Sequence, residues 1–320
     1  MNVQTVSIEV GGRPLTIETG KLAKQANGSV VIRQDDSMIL VTACASKNDV
    51  PFDFLPLTVV YQDRTAASGS IPGGFLKREG RPNERETLIS RLIDRPIRPQ
   101  FPKYFRREMQ VIATVMSYDP SSDTDVLAMC ATAAAFAVSD IPMTDPIAGV
   151  RIIRLNGEFL INPSLDQLAE SDINLVVAGS RAGISMVEGA ASEAPEEAMM
   201  EAMELAFTEI QKIIDGIEEL AAKVNPTKFE INAPADLNED VKGKLMELGA
   251  QEKLNDAMGI SGKFERNSGL KNTRNELIEG LVAGLEDEDT VTSMTKDAKK
   301  IWSKMVSETM RRNVVESGIR

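Results

Sequence analysis

The sequence predicts an α+β domain with mixed sheets and packed helices, followed by an all-α domain. Three observations carry this. Up to about residue 225, short β-branched and alternating runs are interleaved with helical ones. Beyond Asn225-Pro226 the helical pattern runs on without strands, apart from a short KFEIN stretch. Runs of mixed elements followed by helices alone give two differently built layers rather than one repeating unit. The 320 residues also suit two domains better than one. The expected division is therefore 1–225 and 226–320.

The elements follow in order. VSIEV, Gly11-Gly12 and PLTIE form a hairpin. SVVIR and MILVTACAS are strands separated by an Asp35-Asp36 turn, with Asn27-Gly28 as an earlier turn. FLPLTVVYQ is the next strand, and residues 62–82 are a glycine-rich basic loop. Asn83 is placed to cap a helix whose first turn holds Glu84 and Glu86. Leu88, Ile89, Leu92 and Ile93 form its apolar face, and Pro96 ends it. MQVIATVMSY is a strand, and the alanine-rich VLAMCATAAAFAVS is a buried helix ending before Pro142. GVRIIRL, Asn156-Gly157 and EFLI form a hairpin. NLVVAGS and GISMVEG are late strands, and a long helix spans about 195–224. The second domain reads as helices near 237–257, 270–285 and 294–314, with 286–289 as an acidic solvated loop. Met199, Met200 and Met203 are packing residues, and the single Trp302 is a core or interdomain anchor.

Composition excludes several chemistries. With no histidine, Ser-His-Asp and Cys-His catalysis and every histidine-based metal site are absent. Cys44 and Cys130 are too few for structural zinc and read as buried thiols in a reducing cytoplasm. No run of about 18 apolar residues predicts a membrane span, and MNVQTVSIEV has no signal-peptide pattern.

Charge is unevenly distributed. The chain carries −12, yet Arg64 to Arg107 holds eleven basic and four acidic residues, a local +7. Such a stretch is the footprint of a polyanion partner. Within it Phe75 is followed by Lys77 and Arg78 on a loop opened by Gly73-Gly74. A ring that stacks on a base, beside cations that meet phosphates, is the pattern for single-stranded nucleic acid. Arg81, Arg85, Arg91, Arg95 and Arg98 continue the positive charge, with Arg91 and Arg95 on one helix face. The competing reading pairs these arginines with Glu84, Glu86 and Asp94 on a solvated helix. Asp119, Asp123 and Asp125 lack the glycine and terminal glutamate of a calcium loop, so no metal is expected there.

The segment PLTVVYQDRTAASGSIPGGFLKREGRPNERETLISRLIDRPIRPQFP closely resembles the first RNase PH-like core domain of bacterial polynucleotide phosphorylases. The resemblance continues through the alanine-rich helix, INPSLDQL, NLVVAGS and MVEG, covering roughly 1–225. The closing VVESGIR resembles the lead-in to the family's second core, with Arg320 as its first residue. The resemblance implies a 3′-to-5′ exoribonuclease that uses inorganic phosphate and magnesium to release nucleoside diphosphates. It further implies a cytoplasmic homotrimeric ring, single-stranded RNA as substrate, no membrane association and membership of an RNA degradation complex. The family's loop at the RNA opening usually reads Phe-Phe-Arg-Arg; here it is Phe75-Leu76-Lys77-Arg78.

The resemblance also implies that this half is not catalytic. The serine-rich stretch that holds phosphate in the family's active half corresponds here to Asp123-Thr124-Asp125. Two carboxylates repel a phosphate dianion. The metal and acid-base positions correspond to Leu168, Asn174 and Val176, which cannot supply carboxylates. No catalytic or metal-binding residue is therefore expected here, and magnesium is expected in the second core. Two readings stand: part of a phosphorolytic enzyme, or an isolated RNA-binding and oligomerisation module without turnover.

Overall fold

A computed structural model describes residues 2–50, 54–74, 80–231 and 238–318. The chain divides into two compact units, Met1–Asn232 and Ala233–Arg320.

The first unit is built on two sheets. The larger contains β1 (Gln4–Val10), β2 (Arg13–Thr19), β3 (Gly28–Gln34), β4 (Ser37–Asp49), β5 (Leu57–Asp63) and β6 (Arg107–Ser117). Its order is β1-β2-β3-β4-β6-β5, and only the β5–β6 pair is parallel. The parallel pair needs a crossover. It is supplied by a 3₁₀ turn at Thr65–Ser68 and by helix α1 (Glu84–Ile97), which packs on β5. The smaller sheet orders β10 (Gly183–Ala191), β9 (Ile173–Ser180), β7 (Ala148–Leu155) and β8 (Glu158–Ile161), all antiparallel.

Helix α2 (Thr124–Ala137) is buried from Thr124 to Phe136 and touches β3, β4 and β6 of one sheet and β7 of the other. A helix apolar all round belongs inside a core, as this one does. Its alanines allow close approach. At Gly28 even a Cβ would collide with the Ala135 carbonyl oxygen, so this glycine is a strand residue under a helix, not a turn residue. Neighbouring Asn27 accepts from the Ala45 amide at 3.0 Å and donates to Asp140 at 2.9 Å. Helix α4 (Glu196–Val224) closes the unit against β1, β7 and β9, burying Ala202, Ala206, Ile210, Ile213, Ile217 and Leu220. Met203 and Met199 pack against that core at its edge, while Met200 is exposed. The short helix α3 (Leu165–Ala169), unforeseen in the sequence, starts on a Ser164–Gln167 capping box.

Several expectations need correction. Helix α1 does not stop before Pro96 but runs to Ile97, then into a 3₁₀ turn at Arg98–Gln100. A proline in the last turn forfeits only one hydrogen bond, and the Arg98 amide still bonds to Asp94 O. Leu88 is 53% exposed, whereas Ile89, Leu92 and Ile93 are buried. Cys44 is exposed, because buried positions alternate along β4 through Ile39, Val41 and Ala43. Cys130 is buried, and its sulfur bonds to the Gly149 carbonyl at 3.2 Å. Residues 226–231 form no strand and stay with the first unit. The Phe229 amide bonds to Asp140 O at 2.7 Å, and Arg107 lies 4.1 Å over the Phe229 ring. Lys228 donates to the carbonyls of Phe136, Ala137 and Ser139 at the end of α2. Burial pulls its amine down to about 8.

The second unit is helical among its described residues: α5 (Glu239–Glu247), α6 (Ala250–Met258), α7 (Lys263–Val282) and α8 (Glu288–Ser317). The single helix expected near 237–257 is two, divided at Gly249 with φ +73°. The acidic run is not a loop throughout: Asp287 caps α8 and Glu288 and Asp289 form its first turn, where they complement the helix dipole. The unit has its own core, including Leu245, Leu254, Leu277, Ile301 and Trp302.

Candidate nucleic-acid interface and phosphate cradle

The basic segment is set by the start of α1. Asn83 and Glu86 form a reciprocal capping box, each bond 2.8 Å. Glu86 also accepts the Asp63 amide at 2.9 Å, fixing the helix start to the end of β5. Beside this junction lies a hollow of about 300 Å³, bordered by Tyr61, Gln62, Asp63, Arg81, Asn83 and Glu86. Burial raises the Asp63 carboxyl above the usual range, with Arg85 opposing.

The expected RNA-binding residues divide into four groups. Phe75, Lys77 and Arg78 lie outside the described residues. Arg81 and Arg91 are exposed, and neither makes an ion pair among the described residues. Arg95 is exposed but pairs with Glu188 on β10 at 2.5 Å; such surface pairs contribute little. Arg98 is engaged on every side. It grips Asp94 through Nε and Nη2 at 3.0 and 2.7 Å and donates to the carbonyls of Leu55 and Leu57 at 2.8 and 3.0 Å. Two of these four bonds go to Asp94 and two to the entrance of β5, while the side chain stays 40% exposed.

The second constellation lies where α2 begins, over β7 and β9. Asp123 and Asp125 stand at the N-cap and first turn of α2, and Asn174 on β9. Between them lies Arg151 of β7. Its Nε donates to Asp123 Oδ2, its Nη2 to Asp125 Oδ2 at 2.7 Å, and its Nη1 to Asn174 Oδ1 at 2.8 Å. The three side chains of the ion pairs are nearly buried, at 14, 7 and 10% exposure. The residues aligned with a phosphate cradle and with one metal-binding position do meet in space, but around an internal guanidinium. Leu168 on α3 and Val176 on β9 take no part in this hydrogen-bonded group.

Its electrostatics are those of a closed unit. Burial opposes ionisation of Asp123, but the hydrogen bond from Asp125 and the Arg151 charge outweigh it and hold its carboxyl low. Burial, and then the Asp123 charge, push the Asp125 carboxyl up to about 8. One carboxylate, one carboxylic acid and one guanidinium make a neutral buried group, the arrangement that avoids an uncompensated charge. This donor set does not fit magnesium, since its oxygens already face a cation. A second arginine braces the same loop. Arg13 pairs with Asp35 at 2.6 Å, donates to Ser121 O at 2.7 Å and reaches the Asn162 carbonyl. Asn162 in turn accepts from the Arg151 amide at 3.0 Å. Sequence reasoning missed Arg151. The available signal was a cation at the centre of the apolar strand GVRIIRL, which must find a partner when buried.

Comparison with known proteins agrees with this architecture. Residues 11–142 match the 3′ exoribonuclease family, domain 1, and residues 145–209 match its domain 2. Residues 240–320 match "Polyribonucleotide nucleotidyltransferase, RNA binding domain". The polyribonucleotide nucleotidyltransferase of Bacillus subtilis (strain 168) is 47% identical over 314 residues, covering 98% of this chain and 44% of the relative. That of Bacillus cereus (strain ATCC 14579) is 44% identical over 320 residues, covering 99% of this chain and 44% of the relative. The chain thus spans less than half the length of these curated relatives. The crystal structure of rice (Oryza sativa) Rrp46 superposes with a TM-score of 0.55 at 15% identity, over 66% of this chain and 95% of that one, a likeness of fold. The first two family matches together span well over half of the residues. The chain therefore belongs to the 3′ exoribonuclease family, and over its length it is similar to polyribonucleotide nucleotidyltransferases.

Proposed function

We propose that this chain serves a phosphorolytic 3′-to-5′ exoribonuclease that shortens RNA to nucleoside diphosphates, and that its own RNase PH-like fold is catalytically silent. The carrying observation is Arg151, whose guanidinium holds Asp123, Asp125 and Asn174 together. A position filled by a tethered cation and lined by carboxyl groups neither receives phosphate nor supplies a metal site. The relatives' printed name, polyribonucleotide nucleotidyltransferase, supports the reaction class. Turnover, with its magnesium, then belongs to the part of the longer protein that the relatives carry beyond this span. The first domain, 1–225 by the sequence reading, serves as one core of a cytoplasmic homotrimeric ring within an RNA degradation complex.

In this reading the segment from Arg64 to Arg107 receives the RNA strand. Phe75 stacks on a base, and Lys77, Arg78, Arg81 and Arg91 meet the backbone, with Arg95 beside them. The local +7 on a chain of −12 supports this placement. The deciding assay incubates the 320-residue chain with 5′-labelled single-stranded RNA, phosphate and magnesium, measuring binding and shortening together. Binding without diphosphate release is expected. Substituting Lys77 and Arg78 by alanine is expected to weaken binding and flatten its salt dependence by about 1.4 in log–log slope, the effect of two lost phosphate contacts on a single strand. Phosphate-dependent shortening would refute the silent-core assignment, and an unchanged salt slope would refute the role of the loop.

A further inference from the structure

The second unit contains a cavity of about 640 Å³, formed by the end of α6, the turn at Gly259–Gly262, the start of α7 and the last turns of α8. Its size lies within the range of small-molecule sites, roughly 300–1,000 Å³. Arg266 of α7 and Arg312 of α8 line it from two different elements. Neither makes an ion pair among the described residues. The Arg266 side chain makes a single long hydrogen bond, 3.4 Å to the Ile260 carbonyl, which keeps its guanidinium at the turn that carries Ser261. Asn313 follows Arg312 and also faces the cavity. Among the described residues the lining holds no carboxylate and no aromatic ring, in a chain with 48 acidic residues. Met258, Ile260 and Met310 supply aliphatic surface.

This lining selects a ligand by chemistry. Guanidiniums without a carboxylate partner take oxyanions, which they grip in a planar, bidentate way. Two of them on different elements match two anionic groups on one molecule. Each stands with a further polar side chain, Ser261 or Asn313. A phosphoryl group, with three outer oxygens and a charge of about −1.5 to −2 at pH 7, uses all of these donors. With no ring in the lining, a nucleobase finds no stacking platform, whereas aliphatic surface suits a saturated carbon skeleton. We propose that this cavity is an effector site for a small aliphatic molecule carrying two phosphoryl groups, one held by Arg266 and the other by Arg312. The ligand is of another class than the RNA named in the family that matches residues 240–320. It ties the first turns of α7 to the last turns of α8, so its occupancy stabilises the second unit by mass action.

The test uses the whole 320-residue chain and the fluorescence of Trp302, which lies in the core of the same unit. Fructose 1,6-bisphosphate is the probe. At saturation it is expected to raise the thermal midpoint of the second unit by about 4–8 °C while the far-UV transition of the first unit stays in place. Glucose 6-phosphate, with one phosphoryl group, is expected to need at least tenfold higher concentration for the same rise. Arg266→Gln with Arg312→Gln is expected to abolish the rise. Arg266→Lys with Arg312→Lys keeps both charges and is expected to bind more weakly but still saturably, which separates loss of the site from loss of the fold. Equilibrium dialysis of labelled probe is expected to find one molecule per chain. No rise with the bisphosphate, or an equal rise in the glutamine variant, would overturn the assignment. So would ADP or succinate acting at lower concentration than the bisphosphate, since the ligand would then carry a base or carboxylates.

Discussion

Asp125 sits against Arg151 and Asp123 with a carboxyl pushed up to about 8 by burial and by its neighbour's charge. Its ordinary value is 3.8, so the folded state keeps a proton that the unfolded chain releases. The resulting stability is complete below about pH 4 and is lost as pH rises through about 8. Asp125→Asn retains a neutral hydrogen-bonding group and has no proton to lose. Its first-unit unfolding midpoint is expected to depend less on pH between 5 and 9 than that of the native chain; parallel curves would rule this origin out. The sequence allowed the site to be read only partly. Asp123, Asp125 and Asn174 could be assigned through the family resemblance, since each lies in a continuous motif. Arg151 could not, because the partner of a cation in an apolar strand is decided by strand order, which brings β7 beside β9 and under α2.

Element identity was largely readable from period and capping chemistry. The Asn83 and Glu86 box, the all-apolar α2 and the strand alternation are local features and appear where local rules place them. Errors arose where a residue has two uses. Gly28 read as a turn glycine beside Asn27, but packing against α2 is what requires it. Acidic residues 286–289 read as a solvated loop; they are exposed, but Asp287 caps α8 and Glu288 and Asp289 form its first turn. Gly28→Ala is expected to destabilise the first unit by about 1–3 kcal/mol, the cost of overpacking. The obstructing atom is a backbone carbonyl, which cannot move aside as a side chain would. Denaturant unfolding measures this, and a difference under about 0.5 kcal/mol, the scatter of ordinary surface substitutions, would show that the α2–β3 approach can relax.

At the scale of the molecule, two cores serve one chain, and they can be observed separately. The only tryptophan, Trp302, is 5% exposed inside the second core, while all three tyrosines lie in the first unit. Tryptophan fluorescence therefore reports unfolding of the second unit. Leu277→Ala, which opens a cavity in the second core and keeps Trp302 as the probe, is expected to cost the second unit about 2–5 kcal/mol while leaving the far-UV transition of the first unit in place. A shift of both transitions together would mean that the units unfold as one. The order of the units was readable from the loss of strand periodicity, but the border was not. The segment 226–231 belongs to the first unit through Lys228 and Phe229, contacts made with residues about ninety positions earlier.

The guanidinium of Arg151 also changes what the fold requires from its surroundings. A pocket that holds a dissolved anion is saturable: its occupancy, and the stability it lends, follow concentration. Here the counter-charge is built into β7 and arrives with every copy synthesised. A balancing cation that is part of the chain cannot be diluted away from the buried carboxyl groups. The firmness of this site is set at translation, whatever the abundance of phosphate around it.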